Sequence, residues 1–390
     1  MRSHARTPIL PDRRIPLSDL DYGPDEEAAV LRVLGSGWLT MGPEVEAFES
    51  EFAAYLGVKH SIGVSSGTAA LHLAYLALGI GPGDEVIQPA INFVASANMT
   101  LAVGATPVFA DVIALQEPTI SPDEVAGLIT DRTRAVVVMH YGGHACRLES
   151  IIDICRESGI AVIEDACHAP GAGYRVSSAS SPMMLGTLGT VGCFSFFSNK
   201  NLAVGEGGMV VTNNDDVGAL VRAMRSHGMT SLTWDRHQGH AVGYDVVVPG
   251  FNYRLDEIRG ALGRVQLAKL DTNNALRRRL VSTYREGLQE LPGWTIPFAR
   301  DDEGADHLMV IVAPDEESRT RVAAGLADNG VQTSAHYPCV PDFEAYTAWR
   351  DADVGIARAF AARVLTLPLF PTMSGDDVGT ICALIRGLAA

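Results

Sequence analysis

The sequence contains no apolar run approaching the roughly 18 consecutive residues that a membrane-spanning helix requires. The segment Met1–Arg14 is basic and polar without an apolar centre, so it does not resemble a secretory signal and is expected to form a flexible leader. The six cysteines are scattered and form no Cys-x-x-Cys pair, which argues against a metal site or a disulfide framework. These absences predict a cytoplasmic protein with reduced thiols and no membrane association.

Positive charge is also scarce, since 30 Lys and Arg stand against 46 Asp and Glu and the formal net charge is −16. Such an acidic chain is a poor candidate for nonspecific binding to nucleic acid or to an anionic membrane. Any phosphate that it binds must be held by local groups, because the negative electrostatic field of the whole chain repels an anion. Glycine, by contrast, is abundant, at 39 of 390 residues.

Between residues 60 and 212 short apolar segments alternate with helical patterns, which predict helices over 67–79, 95–103, 122–130 and 148–157. The apolar segments predict seven strands: Ser61–Ser65, Glu85–Gln88, Pro107–Ala110, Ala135–Met139, Ile160–Ile163, Gly192–Phe196 and Met209–Thr212. This alternation is typical of a mostly parallel sheet with helices on both faces. The predicted fold class is therefore α/β, with a three-layer α/β/α large domain built on a seven-stranded sheet.

The remaining segments are mainly helical. Two leading helices are predicted over 25–34 and 44–56, and the later elements are helices over 215–226, 254–269, 272–290, 316–328 and 375–388 with a strand near 308–312. Domains commonly contain about 100–200 residues. We therefore predict a large domain over 15–260 and a smaller α+β C-terminal domain over 261–390.

The segment Ser65-Ser66-Gly67-Thr68 lies where the first sheet strand is predicted to end and a helix to begin. The free N–H groups and the dipole of a helix start form a local anion site, and glycine lets the backbone approach a phosphate closely. The same residues are also typical of an ordinary capped helix.

Asp165 ends a predicted buried strand, at the edge where open α/β sheets bind ligands. A carboxylate there needs a partner, and a protonated pyridine nitrogen would serve. A solvated position at the strand end is the alternative.

Lys200 directly follows a predicted apolar strand and precedes Gly205-Glu206-Gly207-Gly208. Burial lowers the pKa of a lysine toward that of a nucleophilic free amine, as a covalent bond to a carbonyl cofactor requires. An exposed loop lysine is the alternative. In this order, the phosphate site, the aspartate and the lysine fit one ligand, pyridoxal 5′-phosphate (PLP).

These motifs resemble the DegT/StrS family of PLP-dependent aminotransferases, which have the type I fold of aspartate aminotransferase and act mostly on nucleotide-linked keto-sugars. The resemblance extends from about Ile15 to Leu388. Its main segments are Ser36-Gly37-Trp38-Leu39-Thr40, Ser66-Gly67-Thr68-Ala69-Ala70-Leu71, Asn92-Phe93-Val94-Ala95, Glu164-Asp165-Ala166, Phe194-Ser195-Phe196, Asn199-Lys200-Asn201-Leu202, Gly250-Phe251-Asn252-Tyr253-Arg254 and His336-Tyr337-Pro338.

The resemblance implies two catalytic residues. Lys200 would bind the cofactor covalently and later move a proton between the substrate carbon and the cofactor, and Asp165 would pair with the pyridine nitrogen. The other implied cofactor contacts form the phosphate end of the site: Ser66, the amides of Gly67 and Thr68, and the Ser195 hydroxyl.

Further implied contacts complete the site. Phe93 would stack on the cofactor ring, and Asn252 would reach the phosphate of the neighbouring subunit's cofactor, which makes a homodimer with shared active sites the expected active unit. His336 and Tyr337 match a family position near the substrate.

The sequence departs from the family at two places. His168 stands where many members have a glutamine beside the cofactor's phenolic oxygen. It is expected to contact that oxygen, and its titration near neutrality would make activity depend on pH. The segment Arg175–Leu185 is longer than is common in the family, so it either borders the mouth of the site or forms a surface insertion.

The resemblance implies that an amino donor, expected to be L-glutamate, converts PLP to pyridoxamine 5′-phosphate, which then aminates a nucleotide-linked keto-sugar. Inosose-type cyclitols and amino-dehydroquinate-type ring ketones are alternative acceptors. A sugar dehydratase is less favoured because dehydratases of this family carry histidine in place of the lysine, and a non-catalytic regulator would be expected to lack Lys200 or Asp165. The high Ala, Arg and Gly content is typical of GC-rich bacteria, in which such enzymes often serve amino sugar and antibiotic biosynthesis.

Overall fold

The computed structural model describes residues 15–176, 181–231, 234, 237, 239, 243–298 and 304–389. The leader expected over 1–14 and the centre of the Arg175–Leu185 segment lie outside these residues. Among the helices that are described, none combines the length and the apolar composition needed to cross a membrane.

In chain order the strands are β1 (His60–Val64), β2 (Glu85–Pro89), β3 (Thr106–Ala110), β4 (Val112–Ala114), β5 (Glu117–Ile120), β6 (Thr133–Met139), β7 (Ala161–Asp165), β8 (Gly173–Tyr174), β9 (Met183–Met184), β10 (Val191–Ser195), β11 (Gly208–Thr212), β12 (Met309–Val312) and β13 (Val364–Leu367). Seven of them form the large sheet in the spatial order β1-β11-β10-β7-β6-β2-β3. β11 is antiparallel to both of its neighbours, whereas the other pairings are parallel. The predicted seven-stranded, mostly parallel sheet is thus confirmed.

The helices are α1 (Pro24–Ser36), α2 (Pro43–Leu56), α3 (Gly67–Ala77), α4 (Ala95–Ala102), α5 (Pro122–Leu128), α6 (Leu148–Ser158), α7 (Asp215–Met224), α8 (Glu257–Leu288), α9 (Glu316–Asp328), α10 (Gly355–Arg363) and α11 (Gly375–Ala389). Side chains of β6 alternate between two cores, because successive strand residues point to opposite faces. Val136 and Val138 pack in the core that contains α2 and α6, and Val137 packs in the core that contains α3 and α7. The large domain therefore has the predicted three layers.

The C-terminal region forms an α+β unit in which the antiparallel pair β12–β13 packs with α9, α11 and the second half of α8. The prediction of two helices over 254–269 and 272–290 is wrong, since α8 is continuous over 32 residues. Leu270 is buried in the core there, and no glycine or proline interrupts the helix at this point. Because α8 passes through residue 260, the division into 15–260 and 261–390 stays a prediction.

Candidate active site

A cleft of about 350 Å³ opens at the carboxyl ends of the parallel strands, where the terminal residues Met139, Asp165 and Ser195 reach its wall. Ten residues predicted from sequence line this cleft: Ser66, Gly67, Thr68, Phe93, Asp165, His168, Ser195, Lys200, His336 and Tyr337. The lining also contains residues to which sequence reasoning gave no role: Leu71, Asn92, Ala95, Met139, Cys167, Phe197, Asn199 and Glu206. The structure therefore brings the separate motifs together in one site.

The start of α3 forms one end of the cleft. Ser66 caps the helix, because its hydroxyl accepts a hydrogen bond from the backbone N–H of Ala69 at 3.1 Å. Gly67 and Thr68 occupy the first turn, whose N–H groups have no acceptor within the helix. Both interpretations of this motif are therefore compatible with the geometry, since the capped helix start also faces the cleft.

β11 is what brings Ser195 beside this helix start. Its first residue, Gly208, pairs with Val64 of β1 on one side and with Ser195 of β10 on the other. A Cβ atom at position 208 would lie 2.5 Å from the backbone carbonyl carbon and oxygen of Ser66. A glycine at this position therefore lets the loop after β1 close over the end of β10.

Gly67→Ala is expected to weaken PLP binding by about tenfold or more, because an added methyl group in a packed site costs about 1–3 kcal/mol. Its Cβ would lie 2.9 Å from Ser195 Cβ and 3.1 Å from Cys167 Sγ, so the helix start would have to move. Titration of cofactor-free protein with PLP measures the effect. The matched control is Gly379→Ala in α11, where an added Cβ meets no atom within 4 Å. Equal dissociation constants for the two variants would contradict the prediction.

Asp165 lies at the floor of the cleft and is 4% exposed. Its Oδ1 accepts the N–H of Cys167 at 3.3 Å, and its Oδ2 accepts the side-chain amide of Asn92 at 3.5 Å. Both carboxylate oxygens therefore accept hydrogen bonds, which orient the side chain. Asn92 is itself buried, and its Oδ1 has no partner within the described part of the chain. Its place in the loop three residues after the end of β2 was the available sequence signal for a site residue.

Glu164 precedes Asp165 but points to the opposite face of the sheet. Its carboxylate accepts the N–H groups of Gly186, Leu188 and Gly189 at 2.7, 2.8 and 2.5 Å, and it pairs with His140 Nε2 at 2.9 Å. Both side chains of this pair are fully buried. Glu164 therefore fixes the turn that precedes β10.

Glu164→Ala is expected to lower the free energy of unfolding by about 3–5 kcal/mol, because it leaves His140 and several backbone donors buried without their acceptor. Chemical denaturation of the cofactor-free protein measures this loss. Asp153→Ala is the control, since Asp153 forms an exposed ion pair with Arg156 that is worth at most about 1 kcal/mol. A loss as small as that of the control would show that the turn does not depend on Glu164.

Lys200 lies in the connection between β10 and β11, at the end of a turn in which its N–H donates to the carbonyl of Phe197 at 2.8 Å. The antiparallel return of β11 folds this connection over the carboxyl ends of the strands. Desolvation lowers the pKa of Lys200 below 10.5, while the nearby Cys167 and Asp165 oppose that shift. The neutral amine, which is the nucleophilic form, therefore forms more readily than it does for a solvated lysine.

His168 is 2% exposed, between the strand-end loops and the C-terminal unit. Its Nδ1 accepts the N–H of Gly142 at 3.3 Å, and its Nε2 is 2.8 Å from the Tyr337 hydroxyl. Burial, with added repulsion from Lys200 and His336, lowers its pKa well below 6.5. The structure does not support the expectation that His168 titrates near neutrality, because the ring stays neutral there.

His336 and Phe93 line other parts of the cleft. His336 Nδ1 is 2.9 Å from Thr366 Oγ1, and burial together with Lys200 lowers the pKa of His336 to about 4. The Phe93 ring is 54% exposed, and its centroid lies 6.0 Å from that of Tyr337. An exposed phenyl ring in the wall of a cleft is available to stack on a planar ligand.

Asn252 does not line this cleft. It is exposed and forms an isolated antiparallel bridge with Ser226, so its implied contact with a second subunit stays a prediction. The nearby Arg225 is 2% exposed and is paired with Glu49. It therefore supports the fold and does not face a ligand.

The cleft fits PLP in three respects. The helix start suits a phosphate, the buried Asp165 lacks a cationic hydrogen-bond partner within the described residues, and Lys200 has a lowered pKa. In addition, Oδ1 atoms of Asn92 and Asn199 are buried in the lining without a partner among the residues described, which indicates a polar ligand.

Known proteins are similar to this chain in fold and in sequence. SpsC, a spore coat polysaccharide biosynthesis protein of Bacillus subtilis (strain 168), is 37% identical over 377 residues, which is 94% of this chain and 95% of SpsC. DesV of S. venezuelae is 35% identical, with a TM-score of 0.85 over 97% of this chain and 99% of that chain. Helicobacter pylori PseC, an aminotransferase involved in the biosynthesis of pseudoaminic acid, is 28% identical, with a TM-score of 0.88 over 96% and 98%.

The sequence also matches the model of the DegT/DnrJ/EryC1/StrS aminotransferase family over residues 21–386, which is nearly the whole chain. Spr1654 of Streptococcus pneumoniae, which has a TM-score of 0.89 or 0.88 in two of its structures, was solved in both PMP and PLP forms. The chain therefore belongs to the DegT/DnrJ/EryC1/StrS aminotransferase family and is a PLP-dependent aminotransferase.

Proposed function

We propose that this aminotransferase transfers the amino group of L-glutamate to the keto group of a nucleotide-linked sugar. The observation that carries the proposal is one cleft that combines a helix start, a buried carboxylate and a lysine of lowered pKa. The choice of a sugar is supported by the relatives, since SpsC is named for polysaccharide biosynthesis and PseC for the biosynthesis of pseudoaminic acid.

The phosphate of PLP would be held by the backbone amides of Gly67 and Thr68 and by the hydroxyls of Ser66 and Ser195. These groups need no basic side chain, because the helix dipole and the free N–H groups already favour an anion. This explains how a chain with a net charge of −16 can bind a phosphate.

When bound, PLP supplies an aldehyde that takes up the amino group and an aromatic ring that withdraws electrons from the reacting carbon. Asp165 would hold a proton on the ring nitrogen through its buried carboxylate, which Asn92 and Cys167 keep oriented. Lys200 would hold the cofactor between reactions and, once released, move a proton at its Nζ. Phe93 would cover one face of the ring, and His336 and Tyr337 would contact the substrate.

We also propose that the active unit is a homodimer in which Asn252 serves the partner's cofactor. Support comes from the exposure of Asn252 and of the apolar side chains just before it, since Val246 is 51% exposed and Val247 is 66% exposed. An apolar surface of this kind is typical of an interface.

Mixing two inactive variants tests the shared site. If Asn252 acts in trans, a dimer of one Lys200→Ala chain and one Asn252→Ala chain has one site free of both substitutions, and activity should rise above that of either variant alone. Light scattering would show whether the mixed species has the mass of a dimer. No recovery in mixtures that are shown to have exchanged subunits would indicate that Asn252 does not serve the other subunit.

The donor and the acceptor are tested separately. In the first half-reaction, L-glutamate should convert the PLP form to the pyridoxamine 5′-phosphate form faster than other amino acids, as followed by absorbance. In the second, the isolated pyridoxamine form should aminate a nucleotide-linked keto-sugar, with mass spectrometry of the product. Amination of an inosose, together with no reaction on nucleotide-linked sugars, would replace the proposed acceptor by the cyclitol alternative.

A further inference from the structure

The hydrogen bonds of His168 determine which of its nitrogens carries the proton. Nδ1 accepts the backbone N–H of Gly142, and a neutral imidazole has one donor and one acceptor nitrogen. The proton of the neutral ring therefore resides on Nε2, which lies 2.8 Å from the Tyr337 hydroxyl oxygen. His168 must then donate to Tyr337, and the hydroxyl accepts.

The rest of the network holds the His168 ring in place. Its centroid lies 4.4 Å from that of His307, whose Nδ1 is 3.0 Å from Asn201 Oδ1. The Asn201 amide nitrogen donates to the carbonyl of Ala305 at 2.7 Å and to Asn274 Oδ1 at 2.9 Å, so its oxygen is the acceptor and His307 is the donor. His307, Asn201 and Asn274 are all buried.

Two consequences follow for the cleft. Both ring nitrogens of His168 are used by the protein, so a direct hydrogen bond from His168 to a ligand would require one of them to be released. The Tyr337 hydroxyl, which accepts from His168, keeps its own proton, and no other hydrogen-bond partner of this hydroxyl occurs among the described residues. Tyr337 lines the cleft, so this proton is available to a ligand there.

The chemistry of PLP indicates which ligand atom faces Tyr337. The phosphate arm and the phenolic oxygen flank the aldehyde on opposite sides of the ring. With the phosphate at the start of α3 and the aldehyde at Lys200, the phenolic oxygen would face the part of the lining that includes His168 and Tyr337. An oxygen anion at this position needs a hydrogen-bond donor.

We propose that Tyr337 donates the hydrogen bond to the phenolic oxygen of PLP, and that His168 is a positioning residue that makes the Tyr337 hydroxyl a donor toward the cleft. This assignment rests on the proposed placement of PLP. It replaces the direct contact from His168 that the family resemblance implies, and it gives Tyr337 a role toward the cofactor in addition to any contact with substrate.

The protonation of His168 is tested first without cofactor, by ¹⁵N NMR of histidine-labelled protein, with His168→Gln used to assign the signal. We expect the Nε2–H form of a neutral ring from pH 8 to about pH 6, because burial keeps its pKa well below 6.5. A proton on Nδ1, or protonation of the ring near pH 6.5, would overturn the proposed role of His168 as a hydrogen-bond donor to Tyr337, whether or not PLP binds.

Variants then test the contact with the cofactor. Tyr337→Phe should weaken PLP binding by about 10- to 100-fold, as expected for one hydrogen bond to a charged group. It should also raise the pH midpoint at which the visible absorbance of the lysine-bound cofactor changes. His168→Leu should produce the same two shifts, whereas His168→Gln should restore much of both because its amide N–H can still donate to Tyr337.

The opposite pattern would overturn the proposal. If His168 contacts PLP directly, Tyr337→Phe leaves the cofactor affinity and the absorbance midpoint unchanged while His168→Leu alters both. Circular dichroism and thermal unfolding of each cofactor-free variant show whether it is folded. Failure of the wild-type protein to attach PLP to Lys200 would instead contradict the proposed function, and the NMR result on cofactor-free protein would remain valid.

Discussion

Replacing Lys200 with alanine is expected to lower kcat/KM by about 10⁴-fold or more, because one side chain performs both the covalent attachment of PLP and the proton transfer. Borohydride should attach the cofactor irreversibly to the wild-type chain and not to the variant, as measured by the mass of the intact protein. The structure supports this choice, since Lys200 lines the cleft and its pKa lies below that of a solvated lysine.

The composition of the chain makes this experiment unusually clear. The full sequence contains three lysines, Lys59, Lys200 and Lys269. Lys59 pairs with Asp215 at 3.3 Å, and Lys269 pairs with Glu26 at 2.7 Å. The variant Lys59→Arg/Lys269→Arg therefore retains one lysine and should still be trapped with PLP at full yield. Trapping that disappears in this double variant and persists in Lys200→Ala would show that the site assignment is wrong.

Asp165→Asn is expected to lower kcat by about 10²- to 10³-fold, the usual loss when a preorganised electrostatic contact in an active site is removed. An amide cannot hold a proton on the ring nitrogen as a carboxylate does, so the ring withdraws electrons less effectively. Covalent attachment to Lys200 should persist, since the lysine and the phosphate site are intact. The variant therefore separates cofactor binding from chemistry, and single-turnover rates with the amino donor measure the loss.

A matched control keeps the Asp165 result interpretable. Asp84→Asn changes a partly exposed carboxylate whose ion pair with Arg134 lies at 3.3 Å, and Asp84 is not part of the cleft lining. It should leave the single-turnover rate unchanged. Loss of PLP attachment in Asp165→Asn, with an unchanged rate for whatever cofactor remains bound, would assign Asp165 to binding alone.

The sequence alone was enough to predict the strands of the large sheet and the candidate residues that line the site. Each of the seven predicted strands overlaps an observed one, because each is a short apolar run bounded by polar or turn residues. Asp165 and Lys200 could be proposed as site residues because a charged residue at the end of a buried strand, or in the loop that follows it, is unusual and therefore informative. By contrast, the helical pattern of the sequence did not indicate that α8 continues without a break through residues 270 and 271.

Only the tertiary structure decided how these residues meet. The insertion of β11 between β1 and β10 places Ser66 beside Ser195, and no local pattern encodes the order of strands in a sheet. The hydrogen bond from His168 to Tyr337 joins residues that are 169 positions apart, and that from Asn92 to Asp165 joins residues 73 apart. Local propensity fixes which segments form strands and helices, whereas such contacts depend on how the completed layers pack. The residue types at the site could therefore be predicted from the sequence, whereas their hydrogen-bond partners depend on the fold.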